Sequence, residues 1–93
     1  MIELINLLIE ELPVKDRIYG QRFVHERNFR SLLELIQSDI EKIKTYKKKK
    51  IINPDFENVD IDRLKYFENI VYEYRPDLLE EDEELNKIYE EVN

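Results

Sequence analysis

Only four residues in this chain are natural helix breakers, and the sequence between them is periodic. Gly20 is the one glycine, and Pro13, Pro54 and Pro76 are the three prolines, in 93 residues. Glycine and proline are the usual breaks in regular structure, so such sparse breaks favour long helices. Ile2, Leu4, Ile5, Leu8, Ile9 and Leu12 fit one broad helical face, and Leu7-Leu8-Ile9 breaks the alternation that a strand would need. Pro13 ends or redirects that element.

Val14, Ile18, His25, Phe29, Leu32, Leu33, Ile36, Ile40 and Ile43 then recur at threes, fours and sevens, which reads as one continuous stripe on a long helix. Glycine costs about 1 kcal/mol inside a helix, so a kink or break is expected at Gly20. The helix starts either after Pro13 or after Gly20. Its strong part, residues 21–48, would run about 40 Å. Asn53-Pro54 is a stop, because a residue before proline is pushed out of the helical region. A connector follows, with Phe56 and Val59 expected against the bundle.

Asp60 and Asp62 suit the start of a third helix, whose buried face would be Ile61, Leu64, Phe67, Ile70, Val71 and Tyr74. Arg75 and Pro76 close it. Asp77 then caps a fourth helix, with a narrower stripe of Leu78, Leu79, Leu85, Ile88, Tyr89 and Val92. The spacing thus predicts one all-α domain over residues 1–93: a small bundle of three to four helices with one long central helix. The long helix is expected to overhang its shorter neighbours and to need a second copy or another protein over its apolar end.

Composition narrows the function. A chain of 93 residues is too short for a two-domain enzyme. Without cysteine there is no disulfide scaffold, thiol nucleophile or thiolate metal site. With 42% apolar and 40% charged residues, the chain is neither disordered by composition nor membrane-spanning. High charge with scarce Gln is thermophile-like, although codon bias in an AT-rich genome depletes Ala and Gly in the same way. The apolar residues 1–9 carry Glu3 and Asn6 and no basic leader, so the chain reads as cytoplasmic, with no membrane partner.

Catalytic arrangements are missing. His25 is the one histidine; it is followed by Glu26-Arg27-Asn28-Phe29, which is no zinc motif. Ser31 and Ser38 lie on the same helix as His25, with no strained elbow or glycine-built oxyanion hole. The acids lack calcium-loop spacing. The expectation is a non-enzyme without cofactor or metal.

Charge is segregated instead. Residues 1–12 carry a net −3, residues 13–50 a net +6 and residues 51–93 a net −10. The basic segment holds one grouping of Lys15, Arg17, Arg22, Arg27 and Arg30, interleaved with Tyr19 and Phe23, and a second of Lys42, Lys44, Lys47, Lys48, Lys49 and Lys50, around Tyr46. Arginine beside aromatic rings suits a protein interface or stacked bases, whereas lysines at a helix end can touch phosphate. Both also have structural uses: pairing with the acidic half, or capping helical carbonyls. Tyr72 and Tyr74 lie about 200° apart on a helix, so both cannot face one core.

The partner-binding candidates are Arg22, Phe23, His25, Arg27, Arg30, Tyr46, Tyr72 and Tyr74. The nucleic-acid-binding candidates are Lys44, Lys47, Lys48, Lys49 and Lys50. The expected function is an accessory or regulatory subunit docking on a larger nucleic-acid-processing assembly of polymerase or replication type, nucleic acid being reached through that complex. Two alternatives stand beside it. One is an acidic inhibitor, of the kind viruses make, that mimics phosphates. The other is a direct nucleic-acid binder working through residues 15–50. A homodimer is a further outcome that the spare apolar surface allows.

Overall fold

The computed structural model describes the backbone of residues 1–92 and the side chains of residues 1–87. Among the described residues there are five α-helices and no strand: α1 (Ile2–Leu8), α2 (Val14–His25), α3 (Phe29–Lys49), α4 (Ile61–Tyr74) and α5 (Pro76–Val92). Short 3₁₀ turns, Ile9–Glu11 and Pro54–Phe56, follow α1 and precede α4. The protein is all-α, as the periodicity predicts, but it has five helices rather than three to four. The expected stripe positions Ile88, Tyr89 and Val92 lie outside the described side chains.

The extra helix comes from a break in the expected central one. Gly20 lies inside an uninterrupted α2, and the chain turns at Glu26–Asn28 instead. Arg27 takes a left-handed conformation (φ 60°). Its N–H donates to the Val24 carbonyl at 3.1 Å, and that of Asn28 donates to the Phe23 carbonyl at 2.8 Å. This paired closure satisfies the last carbonyls of a helix and normally uses glycine at the left-handed position. The Asn28 side chain then accepts from the Ser31 N–H at 3.2 Å and caps α3. Lys50 (φ 56°) ends α3 in the same way, with the Ile51 N–H donating to Tyr46 at 2.9 Å.

The core follows the predicted faces on either side of that break. Ile5, Leu8, Ile9 and Leu12 are buried from the first element, and Phe29, Leu32, Leu33, Ile36, Ile40 and Ile43 from α3. Leu64, Phe67, Ile70 and Val71 come from α4, capped by Asp60, whose carboxylate accepts from the Asp62 N–H at 2.9 Å. Phe56 and Val59 pack against this core from the connector. Asp77 does not cap α5; it lies in the first turn, where two bonds from Arg75, at 2.9 and 2.7 Å, hold it.

α2 departs from expectation in its facing. Its buried residues are Gly20 and Val24, while Val14 and Ile18 are 72% and 63% exposed. The predicted stripe from Val14 through Ile18 to His25 exists, but it faces outward. The cause is Gly20: a Cβ there would lie 2.8 Å from Leu12 Cδ1 and 3.7 Å from Ile9 Cγ2. The helix is seated on its one residue without a side chain, which turns its larger residues away. The Arg17 Nε donates to the Leu12 carbonyl at 3.1 Å and ties down the start of the helix.

The Cα atoms span 37 × 35 × 18 Å, a slab about two helices thick. Its accessible surface, 6758 Å², exceeds the roughly 5,800 Å² usual for a monomer of this mass. Gly20→Ala, which gains about 1 kcal/mol in an open helix, is expected to lose stability here. Gly20→Val should lose about 2 kcal/mol or more, because fully buried Leu12 has no room to retreat. Urea denaturation of the two variants against wild type checks both.

Candidate protein-binding surfaces

The outer face of α2 is the first candidate. On a 100° step, Val14, Ile18 and His25 fall within about 40° of one another, with Arg22 about 40° further round and Tyr19 beyond it. All five side chains are exposed. At the C-terminal end, His25 and Arg27 line a shallow recess with Asn6, Gln21 and Val24. Aliphatic side chains beside Tyr and Arg make a composition enriched in protein interfaces.

The other arginine and tyrosine candidates are engaged inside the chain. Arg30 pairs with Glu81, and its second nitrogen lies 3.7 Å from Asp82. The Tyr72 hydroxyl donates to Asp82 Oδ2 at 2.6 Å and accepts from Gln37 Nε2 at 2.8 Å. Burial first, and then the Asp82 carboxylate, push the Tyr72 hydroxyl above its ordinary range. Tyr74 meets Phe29 edge-on with ring centres 5.0 Å apart, and Tyr46 meets Phe56 at 5.4 Å. Phe23 is half-buried against the core. Of the eight partner-binding candidates, Arg22, His25 and Arg27 therefore lie together on open surface, while the other five help to hold α3, α4, α5 and the connector.

The second candidate is a groove at the C-terminal end of α3. Ile43, Tyr46, Ile51, Ile52, Phe56 and Val59 line a space of about 540 Å³, with Lys47 and Lys50 at its edge. Ile52 is 87% exposed. Lys44 reaches Glu41 on its own helix at 3.5 Å, but Lys47, Lys48, Lys49 and Lys50 make no ion pair with any described residue. The Schellman-type end at Lys50 explains this arrangement: the chain reverses direction there and leaves Ile51 and Ile52 beside the lysines.

Asp39 was missed in the sequence, although its spacing from Ile36 and Ile43 places it on the buried face of α3. It is fully buried, and neither carboxyl oxygen has a hydrogen-bond partner among the described residues. Burial pushes its pKa up from 3.8 to about 7. The nearby Asp16 carboxylate of α2 adds to the rise, and Lys42 opposes it. Among the described residues, no three His, Asp or Glu side chains converge to hold a metal ion, and no helix is long and apolar enough to cross a membrane.

In comparisons with known proteins, the chain matches no family model, no curated protein and no solved structure. The functional reading therefore rests on the two surfaces.

The buried Asp39 carboxyl sets a pH dependence. Between about pH 4 and pH 7 the folded chain keeps a proton that the unfolded chain has lost, so this group lowers stability as the pH rises through that window. Asp39→Asn mimics the protonated form. It is expected to melt above wild type at pH 8, with the gap closing towards pH 4, where both side chains are neutral. Thermal melts followed by circular dichroism at the two pH values check the direction.

Proposed function

We propose that this chain is a non-enzymatic helical docking protein that binds a larger protein partner through the outer face of α2. The observation that carries the reading is the exposure of Val14 and Ile18 on a helix whose small face is buried. Large aliphatic side chains aligned along one helix face, rather than scattered singly, are the pattern of a contact surface.

The partner assembly is a nucleic-acid-processing one of polymerase or replication type, in which the lysines at the end of α3 lie free to guide a phosphate backbone. The chain acts there as an accessory or regulatory subunit. Its own net charge of −7 weighs against direct nucleic-acid binding, because the long-range field repels phosphate. Phosphate mimicry is weakened by the pairing of several acids within the fold: Glu81 and Asp82 with Arg30, Glu11 with Arg63 and Asp77 with Arg75.

Affinity capture from the native host tests this reading, with wild type and Ile18→Asp as parallel baits. We expect a defined protein partner retained by wild type and lost with Ile18→Asp, whose melting temperature stays close to wild type. An identical set of proteins on both baits, or none on either, would overturn the reading. Fluorescence anisotropy supplies the second arm: the isolated chain should bind labelled duplex weakly, and tight binding with a steep salt slope would favour the direct binder.

A further inference from the structure

The groove at the end of α3 and the acidic helix α5 are complementary surfaces that do not meet within one molecule. The groove offers an apolar floor edged by Lys47 and Lys50, with Glu57 also on its lining; neither lysine pairs with an acid among the described residues. Across residues 77–84, α5 carries six acids and no base; Asp77, Glu81 and Asp82 are paired with Arg75 and Arg30, which leaves Glu80, Glu83 and Glu84 without an ion pair among the described residues. No side chain from Leu79 to Lys87 is buried, and Leu85 is 49% exposed. An acidic helix with uncovered leucines matches a lysine-edged apolar groove in both charge and chemistry.

The two cannot join within one chain. Arg30 holds Glu81 and Asp82 near the start of α3, whereas the groove begins at Ile43, about 20 Å further along that helix at 1.5 Å per residue, and no described α5 residue lines it. The part of α5 beyond Glu81 extends only about 17 Å. The acidic helix in the groove must therefore come from another molecule.

We propose that the groove receives α5 of a second copy of this chain, in a two-fold pair whose α3 helices run antiparallel. Antiparallel placement sets the C-terminal end of one α3 beside the N-terminal end of the other, where α5 is pinned. One rotation then forms both contacts and leaves no open end, which is the condition for a closed dimer. This surface is separate from the outer face of α2, so the proposal stands or falls independently of protein docking there, although a second copy in the groove competes with a phosphate backbone for Lys47 and Lys50.

Sedimentation velocity on the full chain tests it. We expect a dimer at low salt whose affinity drops at least tenfold between about 50 mM and 500 mM salt. Ile52→Asp, and separately Lys47→Glu with Lys50→Glu, should each weaken the dimer at least tenfold while circular dichroism shows an intact helical fold. Because the chain has no cysteine, contact can be read directly: Ile52→Cys mixed with Leu85→Cys should form an intermolecular disulfide under mild oxidation, faster than either variant alone. A monomer at all concentrations up to the solubility limit would overturn the proposal. So would a dimer unaffected by the groove variants, or a mixture that fails to cross-link preferentially. None of these results bears on partner capture through Ile18.

Discussion

The close approach at Gly20 decides how this molecule presents itself. With no Cβ there, α2 settles onto the Leu12 side chain nearer than any other residue would permit, with Ile9 at ordinary contact distance. Its small face becomes the inside and its aliphatic face the outside. The burial of Ile5, Leu8, Ile9 and Leu12 against that helix, the outward Val14 and Ile18, and the tie from Arg17 to the Leu12 carbonyl all depend on this contact. A chain with only one glycine has spent it on helix packing, not on a turn.

Charge is handled similarly, by location more than by number. The basic segment and the acidic half meet where α3 begins, through Arg30, Glu81 and Asp82, and Tyr72 brings Gln37 into the same set of bonds. Partly exposed ion pairs of this kind contribute little stability singly. Their effect is to fix where α5 leaves the bundle. At the other end of α3, Lys47 to Lys50 have no acid partner among the described residues, so one helix carries paired charge at its start and open charge at its finish. Asp39 lies between these ends without a hydrogen-bond partner among the described residues, and burial opposes its ionisation.

Much of this fold can be read from spacing. The faces of α1, α3 and α4, the stop at Asn53-Pro54 and the cap at Asp60 follow from apolar periodicity and from residues with strong backbone preferences. The break at Arg27 does not, because nothing in Glu26-Arg27-Asn28 announces a left-handed residue; arginine is a poor choice for that conformation, and tertiary packing imposed it. Once the break was missed, the helix count and the facing of α2 were both misread: a stripe of Val14, Ile18 and His25 looks the same whether it points in or out. At the surface, a list of arginines and tyrosines could not separate Arg22, His25 and Arg27, which remain open, from Arg30, Tyr46, Tyr72 and Tyr74, which their neighbours occupy. That distinction depends on long-range pairings such as Arg30 with Glu81, which no local pattern encodes. Asp39 was legible, since three- and four-residue spacing from Ile36 and Ile43 places it inside.

Arg27 and Lys50 share a consequence. Both hold a backbone shape that costs an ordinary residue about 1 kcal/mol or more and glycine almost nothing. Both lie at corners where a long cation extends into solvent. Glycine at either corner would relax the backbone and delete a positive charge from the rim of an open surface. The scaffold therefore sits somewhat below its own stability ceiling, with that reserve held at two bends that carry surface charge.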